Sequence, residues 1–259
     1  MKIIPAVRRK ALIIHNSGDA SHFLKGVSVD IANICRFLLS NYGGAWEDNE
    51  ITVAPDNSTA EWLENYFRNA GLVDYYLIFY TGHGSYDEEK GPAYWLNHNE
   101  GIYNAWLQDR IGENTTTMLI SDSCQVIEEL EKGGILESRT FSAVDLETDR
   151  AKCRKLYNDV LRKLPKGMFV VASSVSPGEE AAENSKFGGY YIHSLLQTAK
   201  DIVQNQEYQN GVYGIGYIHS LAAEQVEQLS AGKQTPYIEG YTRSSQPPFI
   251  VKLRPENLI

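Results

Sequence analysis

Three short runs constrain this chain more than any other feature: YYLIFY at residues 75–80, TTMLIS at 116–121 and MFVVAS at 168–173. Each is dominated by apolar, β-branched and aromatic residues and lacks the polar alternation of a strand with one wet face. Strands written this way are covered on both sides. ALIIH at 11–15 and ITVA at 51–54 read as two shorter examples. Helical spacing fills the gaps. Over 27–42 it sets Val27, Ile31, Ile34, Cys35, Leu38 and Leu39 on one face, ahead of Gly43 and Gly44. Ser58 or Thr59 can cap a helix with the apolar face Trp62, Leu63, Tyr66 and Phe67, stopped at Gly71. Further helices are expected near 103–111, over 190–200 and over 216–229, with an edge strand at 249–253. Alternation of strand and helix predicts an α/β fold with a mainly parallel sheet between two helical layers.

Length and composition agree with this. A chain of 259 residues can form a single α/β core. With 42% hydrophobic and 22% charged residues it is an ordinary globular sequence, which excludes disorder, collagen and coiled coil. No apolar run approaches the roughly 18–20 residues that span a bilayer. The first residues lack the apolar core and cleavage site of an export signal. The expectation is a cytoplasmic protein with no membrane partner. A formal charge of −9 argues against nucleic acid, whose binding rests on phosphate neutralisation, and is compatible with basic substrates. Cys35, Cys124 and Cys153 are too few and too widely spaced for a disulfide framework. Without CxxC or HExxH no zinc site can be read, and no organic cofactor is expected.

In a parallel sheet the chemistry lies beyond the carboxyl ends of the strands. After YYLIFY comes Thr81-Gly82-His83-Gly84. Alone, this is a polar turn whose glycines give the backbone around His83 unusual freedom. After TTMLIS comes Asp122-Ser123-Cys124. Alone, a free cysteine is a small buried hydrophobe. Both loops follow strands of the same sheet, so the fold brings them to one edge. A thiol and an imidazole are the minimum set for nucleophilic acyl transfer. His83 would take the thiol proton and return it to the leaving amine, and Cys124 would attack the carbonyl. The backbone N–H groups of Gly84 and Cys124 are candidates for the oxyanion hole. The GxSxG elbow of serine hydrolases is absent. Gly211, Gly214 and Gly216 follow no strand and make no nucleotide loop. Cys35 is expected in the core, Cys153 at or near the surface. His15, His22, His98, His193 and His219 have no metal-ligand spacing and are expected to be structural.

YTGHG after an aromatic strand, then DSC after a second strand, resembles the caspase-like cysteine peptidases, and among them the metacaspase and bacterial orthocaspase branch. Residues 173–196, SSVSPGEEAAENSKFGGYYIHSLL, are similar to the family's strand, substrate loop and following helix, and Gln234-Thr235-Pro236 recurs in relatives. The resemblance runs from about residue 11 to residue 236. It implies a caspase-like three-layer sandwich, with residues 1–259 as a single peptidase domain without a prodomain. It implies an endopeptidase acting on protein or peptide through His83 as general acid/base and Cys124 as nucleophile. Asp122 and Glu183 would then line the primary specificity pocket and select Arg or Lys on the amino side of the cut bond. A true caspase has an arginine at about the second position and selects aspartate. Glu179 and Glu180 are expected to be solvated.

One departure from the family is Gln125-Val126, where members often carry His-Ser-Gly or Arg-Gly. Metacaspases often need calcium; no carboxylate cluster for it can be read, and Asp87, Glu88 and Glu89 look like a solvated loop. The stretch 125–164, dense in Glu, Lys and Arg, reads either as an exposed connection and a site of self-processing or as an ordinary charged surface with a helix in it. Any regulatory partner would be on another chain. The alternative is a catalytically silent caspase-like module that binds partners, although silent relatives typically lose one of the two residues that His83 and Cys124 represent. Acyl transfer other than proteolysis would use the same dyad.

Overall fold

The computed structural model describes residues 6–125 and 149–253. The first half runs β1 (Arg9–Asn16), α1 (Gly26–Leu39), β2 (Ile51–Val53), α2 (Ala60–Asn69), β3 (Tyr75–Gly82), β4 (Gly84–Asp87), β5 (Gly91–Trp95), β6 (Gly101–Tyr103), α3 (Asn104–Ile111) and β7 (Thr116–Asp122). The second runs α4 (Arg150–Leu161), β8 (Phe169–Ser173), β9 (Glu183–Asn184), β10 (Gly188–Gly189), α5 (Tyr190–Gln204), β11 (Gly211–Gly214), α6 (Ile215–Leu229), β12 (Tyr237–Glu239) and β13 (Pro248–Lys252). The central sheet has the order β12-β8-β7-β3-β1-β2. Its strands pair in parallel except β12, which closes one edge antiparallel to β8.

Every residue of β3 and β7 is buried, as their unalternating sequences require. Side chains still alternate between faces, and they feed two separate cores. Tyr75, Leu77 and Phe79 join Met118, Ile120, Val170 and Ala172 under α1, α4, α5 and α6. Tyr76, Ile78 and Tyr80 join Leu12, Ile14 and Leu119 under α2 and α3. Thr59 rather than Ser58 caps α2, its side chain accepting from Trp62 N–H at 3.1 Å.

The structure decides three expectations. Of the exposed connection expected over 125–164, residues 126–148 lie outside the described residues, but Arg150–Leu161 is a helix of the fold. Cys153, placed near the surface by its charged neighbours, is buried there with Tyr157 and Leu161. Arg154 holds Glu50 through two short contacts of 2.7 and 2.6 Å. Buried Arg9 lies 4.2 Å over Trp46, bonds Asn158 at 3.1 Å and ties β1 to the same helix. The edge strand expected at 249–253 forms, outside the main sheet. As β13 it is wholly buried and pairs with β11, which contains Gly211 and Gly214. Its Lys252 ammonium is buried too, donating to the carbonyls of Ile202 and Val203 at the end of α5.

Candidate active site

β3 and β7 are adjacent, with Thr81 opposite Asp122. His83 and Cys124 each follow by two residues, so both leave the same edge side by side. The approach is close. A Cβ on Gly84 would lie 2.7 Å from the Cys124 carbonyl oxygen and 2.8 Å from Ser123 Oγ. Gly82 has φ 142° and would set a Cβ 2.3 Å from the Asn16 carbonyl, so this turn admits only glycine there.

The loop between β1 and α1 orients the imidazole. His83 Nε2 lies 2.7 Å from the carbonyl oxygen of His22. That contact places a proton on Nε2 and leaves Nδ1 as the basic nitrogen. Asp19 shapes the loop, accepting from Ser21 N–H at 2.8 Å and His22 N–H at 3.2 Å. Gly18 gives the ring room: a Cβ there would stand 2.4 Å from Nε2. Sequence reading had set His22 aside as structural. Its contribution is a backbone oxygen, for which a side-chain pattern gives no signal.

Cys124 is half-buried, and its thiol meets the loop after β8. Ala181 N–H donates to Sγ at 3.4 Å, and Sγ lies 3.6 Å from the Ala181 carbonyl. Burial pushes the thiol up, against the pull of the Ala181 N–H. That loop is tied down at several points. Gln125 N–H donates to the Glu179 carbonyl at 2.9 Å, and Gly178 N–H to the Gln125 carbonyl at 2.8 Å. Gln234 Oε1 accepts from Ala182 N–H at 3.1 Å, and Gln234 Nε2 donates to the Ser174 carbonyl at 3.4 Å. Glu179, expected to be solvated, accepts from Thr235 N–H at 2.7 Å and Ser176 N–H at 3.1 Å. The Gln234-Thr235 pair thus pins the loop that lies against the thiol.

Three carboxyl groups gather beside these loops. Asp122 is buried and accepts from Tyr191 and Ile192 N–H, at 3.0 and 2.9 Å, in the first turn of α5. Burial pushes it up to about 6 against those bonds, with Glu183 adding to the rise. Glu183 accepts from Gly26 N–H at 3.0 Å at the start of α1, and burial raises it as well. Asp30 is the third, missed in the sequence because it shares the buried face of α1 with Val27, Ile34 and Phe37. It accepts from Thr81 Oγ1 at 2.7 Å and Gly189 N–H at 3.0 Å. Burial, then the charge of Asp122, raises it well above the ordinary range. A Cβ on Gly188 would meet Asp30 Oδ1 at 1.9 Å, and one on Gly189 Asp122 Oδ2 at 2.3 Å, so the two glycines let the carboxyls pack against this turn. Among the described residues none of the three forms an ion pair with Lys or Arg. No group of three or more His, Cys, Asp and Glu among them is arranged to hold a metal ion. Asp87 instead closes its own turn, accepting from Glu89 and Lys90 N–H at 2.9 and 3.0 Å.

A parallel sheet closed by one antiparallel edge strand, with these loops at its carboxyl edge, defines the class: a caspase-like α/β sandwich. The family model of the caspase domain matches residues 8–245, and the chain belongs to that cysteine-peptidase family, whose substrates are proteins. Caspase-1 from Spodoptera frugiperda has a similar fold, with a TM-score of 0.57 and 15% identity over 91% of this chain and 88% of that one. No curated protein matches the sequence significantly.

Proposed function

We propose that the chain is a cysteine endopeptidase of the metacaspase or orthocaspase kind, cutting after Arg or Lys. In this reading His83 Nδ1 takes the Cys124 proton, while the His22 carbonyl holds the ring and disperses the charge it gains. The thiolate attacks the substrate carbonyl, and Gly84 and Cys124 N–H groups receive the oxyanion. His83 then protonates the leaving amine, and water resolves the acyl-enzyme. The observation that carries the specificity is the trio of Asp30, Asp122 and Glu183, three acids with no basic partner among the described residues. A guanidinium or ammonium placed among them is paired, whereas a substrate aspartate is repelled. Like charges brought together in a desolvated site cost several kcal/mol, enough for discrimination of about 10²-fold.

The test is a fluorogenic panel with Arg, Lys, Asp and Leu at the primary position, run on wild type, Cys124→Ala and His83→Ala. The dyad acts as a unit, so either variant is expected to lose about 10³-fold or more. Near wild-type turnover in either sinks the reading, and preference for Asp overturns the pocket. The alternative of a silent binding module draws on the contact of the thiol with Ala181, which leaves Cys124 unactivated at rest. Iodoacetamide labelling separates the two: in a peptidase Cys124 is expected to label far faster than Cys35 or Cys153, and in a silent module no faster. Self-cleavage within residues 126–148 belongs to the same proposal. It is tested by the intact masses of wild type and Cys124→Ala, which match if no cleavage occurs.

A further inference from the structure

We propose that Tyr80 is a positioning residue for the oxyanion hole: its hydroxyl holds the His83–Gly84 peptide so that the Gly84 N–H faces the carbonyl under attack. This rests on the cysteine-peptidase reading above.

The His83 carbonyl is held from two sides. Trp95 N–H donates to it at 3.2 Å, and the Tyr80 hydroxyl donates to it as well. In a trans peptide the C=O and N–H point in opposite directions. A held His83 carbonyl therefore sets the direction of the Gly84 N–H. The strand register adds a second constraint. Gly84 pairs with Tyr94, and ladder bonds of antiparallel strands alternate from residue to residue. Because the rung is made at His83 and Trp95, Gly84 is the residue whose N–H turns away from β5. Its α-carbon lies against the Ser123 side chain and the Cys124 backbone, where a Cβ would come within 2.7 Å of the Cys124 carbonyl.

That rung is incomplete, which explains why a tyrosine is needed. His83 N–H does not return to the Trp95 carbonyl but donates to Asn16 at 3.3 Å. The Tyr80 hydroxyl takes the vacant place, 2.7 Å from the Trp95 oxygen, and shares its proton between the two carbonyls. One phenol thus replaces the missing ladder bond at the one step where the chain turns aside to present His83. Burial, with Tyr94 adding to it, raises the Tyr80 phenol far above neutral pH, so it remains a donor. The ring packs 5.1 Å from that of Tyr94, and phenylalanine fills the same space.

The experiment compares Tyr80→Phe with Tyr94→Phe, measuring kcat, KM, thermal midpoint and the affinity of a peptidyl-arginine aldehyde. The thiohemiacetal of the aldehyde carries the tetrahedral oxygen that substrate lacks in its ground state. Removing a whole oxyanion donor costs about 10²–10³ in kcat. Removing one of the two anchors of a donor is expected to cost about 10-fold in kcat, with a matching loss of aldehyde affinity and KM within about twofold. Tyr94→Phe also deletes a buried hydroxyl, bonded to Asn104 at 3.0 Å, and is expected to keep wild-type turnover. Unchanged kcat and aldehyde affinity in Tyr80→Phe overturn the proposal. Equal losses in both variants, or a loss confined to KM, overturn it too, since a general loosening would act on both. Absence of turnover and of aldehyde binding in wild type refutes the peptidase reading itself, and this proposal with it.

Discussion

Replacing Asp122 by asparagine is expected to make the protein more stable at neutral pH and less active at once. Burial without a cation pushes Asp122 up to about 6 in the folded state, from an ordinary 3.8, and outweighs the hydrogen bonds it receives from Ile192 N–H, the Ser174 side chain and Tyr191 N–H. A folded-state pKa raised above the unfolded one means that the contribution to stability is full below about pH 4 and is lost as pH rises through 6. At about 1.4 kcal/mol per tenfold, the whole difference is about 3 kcal/mol. Between pH 5 and pH 7.5 about half of it disappears, the unfolded carboxyl being ionised throughout. Asparagine keeps an oxygen for Tyr191 and Ile192 and has no charge to desolvate. Urea unfolding of both proteins at pH 5 and pH 7.5 is the measurement. The stability of Asp122→Asn relative to wild type is expected to be more favourable at the higher pH, by on the order of 1 kcal/mol. Cleavage after Arg is expected to fall by about 10²-fold or more. A relative stability that does not change with pH refutes the argument about desolvated charge. Unchanged Arg cleavage removes Asp122 from the pocket.

Two further outcomes follow from the same physics. Burial lowers His193 to about 4, so its stabilising contribution is present above its ordinary 6.5 and is lost as pH falls through 4; His193→Leu is expected to abolish about 2 kcal/mol of the stability lost between pH 7.5 and pH 5, as read by urea unfolding at both. Gln234→Ala removes the side chain that accepts from Ala182 and donates to Ser174; it is expected to loosen the loop over the thiol and speed iodoacetamide labelling of Cys124 several-fold, while equal labelling rates would show that the loop is held elsewhere.

What the sequence made legible was what repeats along it. The runs at 75–80 and 116–121 could only be doubly covered strands, and their loops could only emerge together, which is why His83 and Cys124 stood out. α4 was ambiguous because its buried residues, Cys153, Tyr157, Asn158 and Leu161, lie among Lys, Arg and Asp that read as surface. Part of that charge is itself structural, as Arg154 on Glu50 shows. Asp30 was hidden for the opposite reason: an acid on an apolar face reads as an interruption of the pattern until β10 is seen packed against it. The His22 carbonyl and the Tyr80 hydroxyl act on or through backbone, and no side-chain periodicity reports where a carbonyl points.

The contact between Ala181 and the thiol and the unpaired acids bear on one step when taken together. On the proposed reading a substrate carbonyl attacked by Cys124 competes with the Ala181 peptide for Sγ, and the loop yields before acylation. Moving it strains the bonds of Glu179 and Gln234 that tie it to Gln125 and Thr235. The three acids can supply the opposing free energy, because Asp30 and Asp122 are buried, Glu183 is half-buried, and none has a basic partner among the described residues. The charge of Asp122 raises Asp30 and that of Glu183 raises Asp122, so a cation arriving among the three opposes both shifts. A basic side chain would therefore do more than fill a pocket: its pairing offsets the cost of displacing Ala181, and a neutral side chain of the same length would bind without opening the thiol. On this account the preference for Arg or Lys resides in kcat as well as in KM. A norleucine substrate that bound with similar KM and turned over as fast as the lysine one would break the link between charge and loop.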